Sequence, residues 1–145
     1  MVAWKSNASL DKTNTVLIIS QDAEMSDVWK TLFEKKNFPV VNETSKAEAL
    51  QTARLLSPAL IILDLNLSHV ERTGLCHELR NTTNGTILLL APKCNMTEIS
   101  EYLHAGADEF LSTPISPMAL LIKSMAWLVR QEWNGSGTQS SQLHI

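Results

Sequence analysis

Ala59-Leu60-Ile61-Ile62-Leu63-Asp64-Leu65-Asn66-Leu67 is the stretch that decides the fold. Four apolar residues run without a break from Leu60 to Leu63, too short for a helix and too uniformly apolar for a half-exposed strand. They read as a parallel strand buried on both faces. Asp64 then stands at the carboxyl end of that strand, where open α/β sheets place their chemistry.

Similar short apolar runs recur on either side, each followed by a helical pattern. Thr15-Val16-Leu17-Ile18-Ile19-Ser20 reads as a first strand. Asp22 caps a helix after it, with Met25, Val28, Trp29, Leu32 and Phe33 as its apolar positions. Pro39-Val40-Val41 predicts a second strand, and Ser45-Lys46-Ala47-Glu48 has capping-box spacing for a helix carrying Ala49, Leu50, Ala53 and Leu56. Beyond Asp64 the stretch to Gly74 reads as irregular, and Leu75, Cys76 and Leu79 suit a short helix. A strand at Thr86–Leu90 follows, then a helix opened by Asn95 and Glu98, with Ile99, Tyr102 and Leu103 as its stripe and Gly106 as a left-handed cap. Glu109-Phe110-Leu111 predicts the fifth strand. Ser116-Pro117 opens a last helix through Leu120, Leu121, Ser124, Trp127 and Leu128. Five strands alternating with helices imply a doubly wound α/β sheet.

The 145 residues suffice for one core with tails. The expected division is an N-terminal tail over 1–13, one domain over 14–132 and a flexible Ser- and Gln-rich linker over 133–145. No apolar run approaches a bilayer span and the start lacks a signal-peptide core, so a cytoplasmic protein without membrane contact is expected. A net charge of −3 excludes the clustered Lys and Arg that nucleic-acid phosphates require. Cys76 and Cys94 lack metal-ligand or CxxC spacing, so no metal site is expected there.

With Leu63-Asp64-Leu65-Asn66-Leu67 and Ala105-Gly106-Ala107-Asp108-Glu109-Phe110-Leu111-Ser112-Thr113-Pro114-Ile115-Ser116-Pro117 in place, the chain resembles a CheY-like receiver domain of a bacterial response regulator, over roughly Thr15 to Arg130. The second segment parallels the family's "AGADDYLTKPFSP". The resemblance implies a five-stranded parallel sheet in order 2-1-3-4-5 with five helices. It also implies two-component phosphorelay signalling, with Asp64 as the phosphoacceptor position.

Against that pattern several working parts are replaced. The acidic pair that helps hold Mg²⁺ falls on Ser20 and Gln21, with Asp22 one residue too late. The hydroxyl position after strand four is assigned to Leu90, paired with an aromatic at Phe110 that is expected to be fixed. The lysine position is Thr113. Each lost donor to a developing charge costs on the order of 3 kcal/mol, or ~100-fold. Asp64 could instead serve as a local cap, and Asp22 is explained as an N-cap without metal. The segment Asn66 to Gly74 reads as a loop two residues longer than the family's, its proline replaced by Ser68. His69, Glu71 and Arg72 there are solvated charges, a partner surface or a cover over the pocket.

The expected protein is therefore an atypical receiver, a pseudo-receiver with weak or no phosphorylation, acting without turnover and so not an enzyme. No cofactor is expected beyond weak Mg²⁺ binding. The resemblance to OmpR/PhoB-type transcription regulators implies a homodimer through helix four, strand five and helix five, with Asp108, Glu109, Lys123 and Arg130 on that face, or as ordinary solvated charges. It implies DNA contact only through a C-terminal domain beyond the linker. The alternatives are a functional phosphoacceptor served by a histidine kinase, a small-molecule sensor with a pocket bounded by Ser20, Gln21, Leu90 and Thr113, and a stand-alone adaptor.

Overall fold

Leu60–Asp64 is the central strand of the sheet, and every other element is placed by what packs above and below it. The computed structural model describes residues 14–144, with side chains described through Arg130. Its elements are β1 (Val16–Ser20), α1 (Ala23–Lys35), β2 (Val40–Glu43), α2 (Lys46–Leu56), β3 (Leu60–Asp64), α3 (His69–Thr82), β4 (Thr86–Pro92), α4 (Met96–Ala105), β5 (Glu109–Thr113) and α5 (Pro117–His144). All strand pairs are parallel, in the order β2-β1-β3-β4-β5. The doubly wound sheet read from the alternating pattern is thus present, with the strand order the receiver resemblance implies.

Because strand side chains alternate between faces, the sheet feeds two separate cores. Leu17, Ile19, Ile61, Leu63, Ile87 and Leu89 meet Ala49 and Ala53 of α2, Leu75, Cys76 and Leu79 of α3, and Tyr102 of α4. Val16, Ile18, Leu60, Ile62, Leu88, Leu90 and Leu111 point the other way. They meet Trp29 and Phe33 of α1 and Leu120, Leu121 and Leu128 of α5. Both faces are covered, which is why these strands are continuously apolar.

Helix ends follow the expected capping chemistry at most sites. Asp22 accepts from the Met25 amide at 3.0 Å, Asn95 and Glu98 form a reciprocal capping box, and Ser116 accepts from Ala119 at 3.1 Å. Gly106 takes φ +132 at the end of α4, a conformation L side chains rarely adopt. At Ser45 only half the expected box forms. Its hydroxyl accepts from the Glu48 amide, while the Glu48 carboxylate accepts from that hydroxyl and does not reach back to the backbone.

The irregular stretch expected before Gly74 is corrected by the structure. Ser68 and Glu71 build a full capping box, so α3 begins at His69 and the link from Asp64 is short. The S-x-x-E signal outweighs the glycine inside the helix. Three stripe residues are also corrected: Val28, Leu56 and Leu103 are exposed, because Trp29 and Phe33, Ala49 and Ala53, and Tyr102 occupy the inward angle of their helices. The backbone of α5 continues through the residues read as linker, to His144. The tail over 1–13 lies outside the described residues.

Two glycines differ in what they tolerate. A Cβ on Gly74 meets nothing within 4 Å, whereas one on Gly85 overlaps the Pro58 carbonyl oxygen. Urea denaturation is expected to show Gly74→Ala stabilised by ~1 kcal/mol and Gly85→Ala destabilised by about 1–3 kcal/mol. The same sign at both positions would contradict this packing.

Candidate functional site

The register of β1 against β3 sets Ser20 beside Asp64 at the carboxyl edge of the sheet. Ser20 Oγ donates to Asp64 Oδ2 at 3.1 Å and accepts from the Asp22 amide at 3.1 Å. Asp22 meanwhile spends Oδ1 on the cap of α1. Where the resemblance implies a carboxylate aimed at a cation, this chain has a hydroxyl closing an internal hydrogen-bond chain.

Around these groups lies an open depression of about 360 Å³, lined by Gln21, Asp22, Asp64, Leu65, Asn66, Arg72, Leu90, Ala91, Pro92 and Thr113. It brings together Asp64, Gln21, Leu90 and Thr113 as expected from the sequence. Ser20 is buried beneath it. Burial holds the Asp64 carboxyl above its ordinary range. The Ser20 hydrogen bond and, more weakly, Arg72 oppose that, while the charge of Asp22 adds to it.

The Mg²⁺ that the resemblance implies requires several oxygen ligands, usually carboxylates. The donor set does not fit it. Asp64 is engaged by Ser20, Asp22 by the helix cap, and among the described residues no group of three or more His, Cys, Asp or Glu could hold a metal ion.

The apolar couple expected between Leu90 and Phe110 is corrected by the sheet. Leu90 belongs to the core under α1 and α5, whereas Phe110 packs on the opposite side, beside Leu89. By alternation the next strand residue on the Phe110 side is Ala91, which is buried and lines the depression. Ala91 lacks a hydroxyl, and Pro92 after it has no N–H to offer an oxyanion. Counting by twos from Leu89 would have found Ala91. Phe110 itself stacks on Tyr102, with centroids 5.9 Å apart and planes at 15°.

Of the charges expected in a loop, Arg72 turns inward as a pocket residue. Its Nη1 donates to Tyr102 Oη at 3.1 Å, and its guanidinium lies 5.8 Å from the Tyr102 ring centroid. His69 bridges the same two helices, with Nδ1 2.9 Å from Tyr102 Oη and Nε2 2.9 Å from Glu101 Oε1. Glu71 is consumed by the capping box.

The four charges proposed for a dimer face all have partners within the chain. Asp108 pairs with Arg80 at 2.7 Å and accepts from the Ile87 amide, tying α3 to β4 and the turn before β5. Glu109 pairs with Lys123 at 2.9 Å and accepts from the Trp127 indole at 2.7 Å. These donors hold the Glu109 carboxyl below its usual range against the opposing effect of burial. Arg130 lies over the Trp127 ring at 4.3 Å.

The response regulator receiver domain family matches residues 16–124. The nisin biosynthesis regulatory protein NisR of Lactococcus lactis is 28% identical over 119 residues, covering 82% of this chain and 52% of NisR. The DNA-binding response regulator MtrA of Mycobacterium tuberculosis is 26% identical over 117 residues, covering 81% of this chain and 51% of its own length. The chain thus spans about half the length of the curated relatives it matches. Among solved structures, a two-component response regulator from Clostridium difficile superposes with a TM-score of 0.73 at 27% identity, covering 83% of this chain and 98% of that one. A CheY-like receiver from Methanospirillum hungatei reaches 0.75 at 22% identity, covering 85% and 99%, and so bears on the fold alone. The fold, the aspartate at the end of β3 and the match over 16–124 place this chain in the response regulator receiver domain family of two-component signalling.

Proposed function

We infer that this domain is an atypical receiver, with weak or no phosphorylation at Asp64, regulating transcription as part of a DNA-binding response regulator. The observation that carries this is the Ser20 hydroxyl at 3.1 Å from Asp64, standing where a carboxylate would help hold the cation. Phosphoryl transfer to a carboxylate brings two anions together and depends on cations and donors fixed in advance. Here the other carboxylate lining the depression, Asp22, is taken by the cap of α1, and no lysine is among the lining residues. The domain acts by presenting a surface, not by turnover, and a histidine kinase is not its necessary partner.

MtrA, named a DNA-binding response regulator, matches this chain over only 51% of its own length, which supports a DNA-binding domain joined to this one. Dimerisation through α4, β5 and α5 is the assembly that goes with that reading. The in-chain pairs of Asp108, Glu109 and Lys123 do not oppose it. Lys123 is half-exposed, and exposed ion pairs are worth only ~0–1 kcal/mol each, so exchanging its in-chain partner for one across a twofold axis is inexpensive. Sedimentation of the chain is expected to give a dimer weakened by Lys123→Glu. A monomer at every concentration removes this assembly from the proposal.

Gln21, Asn66 and Thr113 also give the depression neutral polar groups suited to a small hydrogen-bonding ligand. Thermal stabilisation by a neutral compound, lost in Thr113→Val, would favour that second reading.

Incubation with acetyl phosphate, with and without Mg²⁺ or Mn²⁺, is expected to leave the intact mass unchanged under conditions that label an ordinary receiver. A metal-dependent adduct absent from Asp64→Asn would overturn the atypical reading. Stability against pH gives a second check. Burial raises the folded-state pKa of Asp64 above its unfolded value, so the protonated form favours folding and that advantage is lost as pH rises through the folded pKa. Asp64→Asn keeps an acceptor for Ser20 without the charge. It is expected to be more stable than the parent at neutral pH, with the gain vanishing as pH falls through the carboxylate range.

A further inference from the structure

Arg72 occupies two environments at once. From α3 it lines the depression that holds Asp64, and it also reaches Tyr102, a residue of α4 that is only 1% exposed. Arg72 Nη1 donates to the Tyr102 oxygen at 3.1 Å, and His69 Nδ1 lies 2.9 Å from the same oxygen. His69 Nε2 is in turn 2.9 Å from Glu101 Oε1, so polar contacts run from the guanidinium to an exposed carboxylate on α4. Tyr102 in turn stacks on Phe110 of β5. A continuous physical path therefore leads from the pocket, through one cation and one phenol, to the α4–β5 side of the domain.

We propose that Arg72 is the residue that reads charge at Asp64 and transmits it, through Tyr102, to Phe110 and α4. A change at Asp64 alters how strongly the guanidinium is drawn toward the pocket, and with it the hydrogen bond to Tyr102. Arg72 has capacity for this, because its Nε is buried without an acceptor and the fork of a guanidinium can engage two partners. The hydroxyl and lysine that are absent from the strand ends are thereby replaced by a cation on a helix. Arg72 is a positioning and coupling residue and takes part in no bond-making step.

The proposal rests on the depression being the input end of the domain. Its test uses the unmodified chain without phosphate, so an Asp64 that proved phosphorylatable would leave it standing. The charged groups that face the path are Asp22 from the start of α1, Asp64 from β3, Arg72 and His69 from α3, and Glu98 and Glu101 from α4. Cys76, one turn beyond Arg72, is pushed up to about 11 by burial and stays protonated throughout the titration.

Nuclear magnetic resonance of the full chain can follow the Asp64 carboxyl carbon and the Tyr102 and Phe110 rings as pH is lowered. The expected result is a ring-shift phase with the Asp64 midpoint, and its loss in Asp64→Asn separates it from titration of His69, Glu98 or Glu101. In Arg72→Gln the Asp64 midpoint should move to higher pH and the ring phase disappear. In Tyr102→Phe, which keeps the stack and removes the hydroxyl, the ring phase at Phe110 should shrink. Arg72→Lys keeps a charge but not the fork, and should retain part of the Asp64 effect while losing the coupling. An Asp64 midpoint identical in parent, Arg72→Gln and Arg72→Lys would overturn the proposal. Ring phases that persist in Asp64→Asn would do the same.

Discussion

The parallel register that places Ser20 directly across from Asp64 governs the rest of the site. Parallel strands run in phase, so whatever residue ends β1 must sit against the aspartate that ends β3. With a carboxylate there, the two like charges would need a cation. With Ser20 there, the gap closes by a hydrogen bond, and the Asp22 amide completes it from behind. One hydrogen bond of this kind contributes only ~1 kcal/mol of net stability. Its larger effect is to leave Asp64 half-buried and engaged by a hydroxyl, while the nearby Asp22 spends an oxygen on the cap of α1.

The same phase relation explains what was legible in the sequence and what was not. Continuous apolar runs at Val16–Ile19, Leu60–Leu63 and Ile87–Leu90 read as strands covered on both faces, so the layer architecture followed from them. The positions of Asp64, Gln21 and Thr113 at the sheet edge followed too, since strand ends are anchored by those runs. The partner of Phe110 did not follow, because side chains flip faces with every residue. Leu90 and Ala91 differ by one position and therefore by the whole thickness of the sheet. Boundaries fail by the same arithmetic. Treating Ser68 to Gly74 as an irregular loop hid a capping box, and with it the helical phase that turns Arg72 inward.

Arg72 was visible as a charge but not as a pocket residue, since its orientation depends on where α3 starts. Beginning the helix at His69 puts Arg72 and His69 three residues apart, on neighbouring angles of the same face. Tyr102 can then touch both. Had α3 begun after Gly74, those side chains would have belonged to a solvated loop and the cation would have had no fixed place. The capping box is thus a local event with a long-range consequence. It converts an irregular connection into a rigid one and fixes a guanidinium at the depression that holds the half-buried Asp64.

Compared across the domain, the two ends of the path differ in how much a charge counts. At the exposed end, Glu101, Glu98 and Lys123 reach into water and exchange partners at small cost. At the pocket, Asp64 and Arg72 are partly withdrawn from water, and the effective dielectric falls enough that a change of one charge is felt over several ångströms. A signal originating at Asp64 is therefore large where it begins and has to be carried by contacts, because bulk screening erases it beyond about 8–10 Å at the surface. Tyr102 meets that requirement. It is fully enclosed, packs one ring face against Phe110, and keeps its polar tip between a cation and an imidazole. A receiver with Ala91 and Thr113 at its strand ends has, in this arrangement, contacts that run from the depression beside its aspartate to its α4–β5 side.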